Sequence, residues 1–188
     1  CGMVRSTERG LEFMEENTQK EAAAYIREKD IDALVVSGGD GSMRGAQALS
    51  KQGIPTIVIP GTIDNDMDGT EYTIGFDTTV NTVLQCVNRI RDTAYSHDRV
   101  AVIEVMGRHA GFIALHAGLA AGAEAVLVPE HDVSLEDLCM HLNESHRMGK
   151  MSSIVIVAEG AMKGSDVYDY IKEHTYPEPH LTVLGYLQ

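Results

Sequence analysis

The sequence predicts an α/β fold: three αβα layers around mainly parallel, Rossmann-like sheets. Three observations point to it. Six short runs rich in Val, Ile and Leu recur along the 188 residues. Each run is apolar at successive positions, as a strand covered on both faces must be. Segments of helical period separate them, so that strand, crossover helix and next strand repeat in the doubly wound plan.

Taken in order, the elements read as follows. A helix over 16–29 opens with a capping box, Thr18 and Glu21. The strand Asp32–Ser37 runs into a glycine-rich turn, and a helix over 42–51 follows. The strand Thr56–Pro60 leads into the turn-rich stretch Gly61–Asp77, the candidate crossover between two domains. Over 78–95, Val80, Val83, Leu84, Val87 and Ile90 recur at helical spacing and give that helix one buried stripe. The strand Arg99–Val105, a helix over 109–121 and the strand Ala125–Pro129 come next. Ser134 with Asp137 signals the start of a helix over 134–148. The strand Ser153–Ala158, a helix over 165–175 and the strand Leu181–Tyr186 complete the series.

Composition excludes several classes of function. With 15 basic against 28 acidic residues the net charge is −13, and protonating all eight histidines would leave it negative. A broad surface for neutralising DNA or RNA phosphates is therefore not expected, and any phosphate site must be local. No apolar run is long enough to span a membrane and no leader pattern opens the chain. A cytoplasmic protein with neither membrane nor nucleic-acid partner is expected. Cys1, Cys86 and Cys139 form no CxxC pair, which fits a reducing compartment without structural disulfide or zinc. The histidines show no paired metal-ligand spacing either.

The chemistry concentrates where strands end. After the first strand comes "SGGDGSMRGA", Ser37 to Ala46. Gly38, Gly39 and Gly41 carry no β-carbon to keep a phosphate from the backbone amides, and the helix expected from Ser42 aims its amino end at an anion. The spacing matches neither GxGxxG nor a P-loop. Glycines alone would also suit a plain strand-to-helix turn. Asp40 among them would repel a phosphate unless a divalent cation stood between, which makes it a candidate Mg²⁺ partner.

After the second strand comes "PGTIDNDMDGTE", Pro60 to Glu71, with Asp64, Asp66, Asp68 and Glu71 and no basic residue. It could be a solvated acidic turn. At a strand end of the same sheet it could equally supply the base and metal partner of phosphoryl transfer. In extended backbone Asp64 and Asp66 would point the same way, one taking a hydroxyl proton while the other orients the group. The third strand ends in "EVMGRHAG", Glu104 to Gly111, where Arg108 is a candidate for an anionic or hydroxylated substrate. Arg99 at that strand's start is another candidate, and Glu159 after "IVIVA" could accept sugar hydroxyls.

Together "GGDGS", "PGTIDND", "IGFDT", "SHDR", "EVMGRHAG", "AGAE", "VAEG" and "TVLG" run in order over nearly the whole chain. In this the sequence resembles the bacterial ATP-dependent 6-phosphofructokinases. The resemblance implies a phosphofructokinase-like fold, with 1–75 as part of a nucleotide-binding domain and 76–188 as a substrate-binding and effector domain. It implies transfer of the ATP γ-phosphoryl group to the 1-hydroxyl of fructose 6-phosphate, in glycolysis. Asp64 would be the catalytic base, with Thr62 and Asp66 supporting it. Gly38, Gly39, Asp40, Gly41 and Ser42 would hold ATP, with Asp40 as the Mg²⁺ partner. Met106, Gly107, Arg108 and Glu159 would hold the sugar beside Thr62, Asp64 and Asp66. Arg99 would reach into a neighbouring subunit's site, which implies a homotetramer with shared active sites. Arg91, Gly122, Glu124 and Lys150 match the family's effector site.

Family chains are longer, so the resemblance is to a central part with both ends missing, and these 188 residues alone are expected to have little or no kinase activity. Pyrophosphate-using members carry aspartate and lysine at the places of Gly41 and Gly61, so ATP is the expected donor. A pyrophosphate-dependent enzyme and a non-catalytic ligand-binding module are the alternatives. NAD kinases and lipid kinases share a GGDG turn but would lack the later motifs. Three positions depart from the family. His180 stands where an arginine is usual, Tyr186 where a histidine is usual, and Met148 where a lysine is common. Arg5 and Arg9 are candidates for an arginine near the phosphates.

Overall fold

The computed structural model describes residues 15–132 and 134–188; Cys1, Arg5 and Arg9 lie outside them. The chain divides into two compact units between Thr62 and Ile63. Every strand pairing in both is parallel.

In the first unit β1 (Leu34–Gly38) pairs with β2 (Thr56–Pro60). The helices α1 (Glu16–Glu28) and α2 (Asp40–Lys51) bury Ala23, Ile26 and Leu49 with Ile54 and Leu34. This covers one face only. On the other, Val35 and Ile57 are each 68% exposed, so the expected two-sided cover is not met here among the described residues. The strands are apolar throughout, yet their side chains alternate between a helix-covered face and a bare one. The capping box at Thr18 does not form either. The helix starts at Glu16 as expected, but with Glu15 as its N-cap and no side-chain cap bond.

In the second unit four strands lie in the order β4 (Ala125–Leu127), β5 (Ser153–Ala158), β3 (Arg99–Val105), β6 (Glu178–Val183). Strand alternation sends Ala101, Ile103 and Val105 to one face, with Ile154, Ile156 and Ala158. There they meet α3 (Phe76–Ser96) and α4 (Phe112–Ala121). Val100, Val102, Val155 and Val157 face the other way, onto α5 (Leu135–Arg147) and α6 (Gly164–His174). These are the three αβα layers expected. Burial pushes the Cys139 thiol up, since the charged form would lose its hydration in this second core. Cys86 and Cys139 are both free.

The α5 cap expected at Ser134 is present, its side chain accepting the Asp137 N–H at 3.1 Å. The last strand lies three residues earlier than expected, because Pro179 reads as a breaker. On the edge strand β6 it removes no needed ladder bond. Gly185 and Tyr186, expected as the end of that strand, instead belong to a short 3₁₀ turn, Gly185–Leu187. Among the described residues no helix is long and apolar enough to cross a membrane.

Order and layering together place the site. Central neighbours β3 and β5 are followed by helices on opposite faces, α4 on one and α6 on the other. Their connecting loops diverge, and a crevice opens at the carboxyl ends of the strands.

Candidate functional site

The glycine turn of the first unit is a helix amino end. Gly39 is the N-cap and Asp40 the first residue of α2, two residues earlier than the sequence suggested. The glycines there do different jobs. A β-carbon on Gly38 would meet Ser42 Oγ at 2.3 Å, so this glycine makes room for a neighbouring side chain. One on Gly39 would meet Thr62 Cβ at 3.4 Å, and one on Gly41 would meet nothing within 4 Å. Only at Gly41 does the missing side chain leave the helix end open. Asp40 is forked to Arg44, Nη2 to Oδ2 at 3.0 Å and Nε to Oδ1 at 3.2 Å. The i,i+4 spacing of a carboxylate and an arginine carries that pair, a signal present in the sequence itself.

In the second unit Asp64 is buried, 6% exposed, and Asp66 is partly exposed. The backbone between them is not extended as expected, because Asn65 has φ +55°. Asn65 tolerates this left-handed turn and fastens it. Its Oδ1 accepts the Thr73 N–H at 2.8 Å and its Nδ2 donates to the Glu71 carbonyl at 3.2 Å. The turn from Asn65 to Glu71 then walls a cleft of about 370 Å³ with Ala110 and Phe112.

Beyond β3 the chain makes a strained turn, Gly107 at φ +141° and Arg108 at φ +53°. The helix expected from 109 therefore begins only at Phe112. Glu159, just past β5, spans the crevice. Its Oε1 accepts the N–H groups of Gly107 at 3.2 Å and Arg108 at 2.8 Å. Glu130, past β4, accepts the Gly111 N–H at 2.8 Å and so caps α4 from outside. The Arg108 guanidinium stands 3.9 Å from Asp66 Oδ2. Such a half-exposed pair is worth about 0–1 kcal/mol, so it orients more than it stabilises.

A smaller cleft of about 160 Å³ lies beside this turn, walled by Glu104, Met106, Glu159, Val183 and Tyr186. Thus Asp66, Met106, Gly107, Arg108 and Glu159 gather at the carboxyl edge of the four-stranded sheet. Arg99 does not. It begins β3, about 20 Å from the strand's far end at 3.3 Å per residue, and donates to Glu178 at 3.2 Å. The four expected effector residues also lie at the amino edge, near the start of β5. Arg91 donates to the Ala121 carbonyl next to Gly122, and Glu124 accepts from Lys150 and from the Ile154 N–H. Glu104 and Glu130 were not foreseen as structural ligands of these turns, because their partners lie 60 and 19 residues away. Among the described residues no group of three or more His, Cys, Asp or Glu is set to hold a metal.

Parallel αβα layering with a strand-end crevice gives the second unit a doubly wound α/β fold. The chain belongs to the phosphofructokinase family, whose model, Phosphofructokinase, matches residues 1–188. It is 53% identical over 177 residues to the ATP-dependent 6-phosphofructokinase of Lysinibacillus sphaericus, covering 94% of this chain and 56% of the relative. It is 50% identical over 187 residues to that of Clostridium tetani, covering 100% and 59%. The chain thus spans somewhat more than half the length of the curated relatives it matches. Among solved structures, Saccharomyces cerevisiae phosphofructokinase superposes with a TM-score of 0.86 at 29% identity, over 99% of this chain and 28% of that one. The pyrophosphate-dependent phosphofructokinase of Marinobacter aquaeolei does so with 0.78 at 25%, over 92% and 49%.

Proposed function

We propose that these residues are the central part of an ATP-dependent 6-phosphofructokinase of the cytoplasm. It would move the γ-phosphoryl group of ATP to the 1-hydroxyl of fructose 6-phosphate, giving fructose 1,6-bisphosphate in glycolysis. One observation carries the reading. Buried Asp64 lies on the same turn as Asp66, which faces Arg108 from the β3 turn that Glu159 fastens. A base, an orienting carboxylate and an anion-binding guanidinium are what transfer to an alcohol needs. Asp64 takes the hydroxyl proton, with Thr62 and Asp66 supporting the transferred group. The sugar rests on Met106, Gly107, Arg108 and Glu159. A positioned base is worth ~10²–10⁴-fold in rate.

Residues 1–75 are assigned to nucleotide and 76–188 to sugar and effector. Gly38, Gly39, Asp40, Gly41 and Ser42 form the nucleotide end. A single exposed carboxylate beside an open helix terminus suits Mg²⁺, which needs one or two carboxylates when phosphates and waters complete its shell. Bound there, the cation would offset charge on the phosphate oxygens. Arg44 is a weak competitor for Asp40, since an exposed i,i+4 pair is worth only about 0.3–0.5 kcal/mol. Gly61 favours ATP over pyrophosphate. Gly41 does so too, since the aspartate that pyrophosphate-using members carry there would crowd and repel the α-phosphate of a nucleotide.

Assembly as a homotetramer with shared active sites has two supports. Arg99 sits at the wrong edge of the sheet to serve its own chain's crevice. In addition, α4 leaves Phe112, Leu115 and Leu119 exposed along one stripe, Leu119 by 82%, a face suited to a second copy. Arg91, Gly122, Glu124 and Lys150 are proposed for an effector.

A coupled assay with ATP and fructose 6-phosphate tests the proposal. The full-length protein containing these residues turns over, and the 188 residues alone show little or no activity. Ligand binding without turnover in the full-length protein would instead make it a non-catalytic module.

A further inference from the structure

We propose that Glu104 is a positioning residue for the acceptor sugar, its carboxylate fixing the loop that presents Glu159; this rests on the function proposed above. Glu104 is the penultimate residue of β3. Alternation turns its side chain away from Ile103 and Val105, toward the layer of α5 and α6, where the strand's other contacts are valines. A carboxylate on that face needs a partner. It finds the amino end of α6, accepting the Gly164 N–H at 2.6 Å. The N-cap of that helix, Lys163, offers no side-chain cap of its own. Glu104 therefore caps α6 from a neighbouring strand, with charge and helix dipole acting in the same sense.

The approach depends on glycine. A β-carbon on Gly164 would lie 2.9 Å from both Glu104 Oε2 and Leu181 Cδ1. Gly164 closes the short loop that begins at Glu159, so the carboxylate pins one end of that loop. The other end is pinned by the Glu159 N–H, which donates to the Val105 carbonyl at 2.9 Å. The Glu104 carbonyl in turn accepts the Leu184 N–H at 3.1 Å, next to Val183 in the wall of the small cleft. One short segment of β3 thus ties down the two loops that face each other across the cleft, with Met106 beside them. Nothing in the local sequence announces this role, since the bond joins residues 60 apart.

The test uses the full-length protein and two conservative variants. Glu104→Gln keeps an oxygen acceptor at the same reach, and Glu104→Asp keeps the charge but withdraws it from Gly164. The Asp variant should raise the KM for fructose 6-phosphate about tenfold, the scale on which a misplaced substrate-positioning loop weakens binding. Its KM for ATP should stay at the wild-type value and its kcat should change much less. The Gln variant should recover most of the sugar KM. A lowered melting temperature in Glu104→Asp with an unchanged sugar KM would overturn the proposal, because the residue would then only stabilise the fold. So would a Gln variant as impaired as the Asp variant. Wild-type protein that phosphorylates no sugar phosphate would overturn the function reading, and this inference with it.

Discussion

Asn65 holds together the stretch on which the chemistry is proposed to depend. It occupies a left-handed backbone between the two candidate carboxylates and bonds to both Glu71 and Thr73. Asn65→Ala loses these bonds and leaves a β-carbon in a disfavoured region, so equilibrium denaturation should show a loss of roughly 2–3 kcal/mol. Asn65→Gly keeps the backbone preference and should lose less. Equal losses in the two variants would mean that the left-handed backbone adds nothing. The carboxylates were legible in the sequence as an acidic run at a strand end. Their geometry was not, because an extended reading of two aspartates takes no account of the residue between them. Arg44 is the converse case: its i,i+4 spacing from Asp40 is local, so the pair is legible in the sequence.

At the scale of the element, glycine positions divide into those that packing requires and those that leave space for a ligand. Gly160 follows Glu159, and a β-carbon on it would lie 2.2 Å from the Arg108 carbonyl oxygen. Both partners are backbone in fixed turns, so neither can yield cheaply. Gly160→Ala should therefore destabilise by about 1–3 kcal/mol, as overpacking does. Gly41→Ala, on the open side of α2, should be neutral or stabilising by up to roughly 1 kcal/mol, since alanine is the better helix residue. Thermal melts compare them, and the reverse order would contradict the assignment. Strands and helices were readable almost to their ends because their period is local. The ends that moved have local causes too. Residues 109–111 were drawn from helix into a turn by positive φ at Gly107 and Arg108, and Pro179 hid the start of β6.

At the scale of the whole molecule, layering was legible and connectivity was not. Alternating strand and helix gave the three layers of the second unit, but only the order β4-β5-β3-β6 shows why loops after β3 and β5 diverge. The carboxylates that fasten those loops, Glu104, Glu130 and Glu159, reach residues 60, 19 and 51 or 52 positions away. A single sequence carries no record of such pairings. Arg99, paired with Glu178 at the edge far from the crevice, and the exposed stripe of α4 belong to this scale as well. The amino and carboxyl edges of the four-stranded sheet are divided between two sets of candidate residues. Candidate effector residues occupy one and candidate sugar residues the other, with the length of β5 between.

The most direct test is phosphoryl transfer from ATP to fructose 6-phosphate by the full-length protein, with Asp64 and with Asp64→Asn, alongside ATP affinity measured by titration. The base assignment predicts a fall in kcat of at least about a hundredfold with ATP affinity nearly unchanged. Turnover that survives the substitution, or a loss confined to ATP affinity, would contradict it.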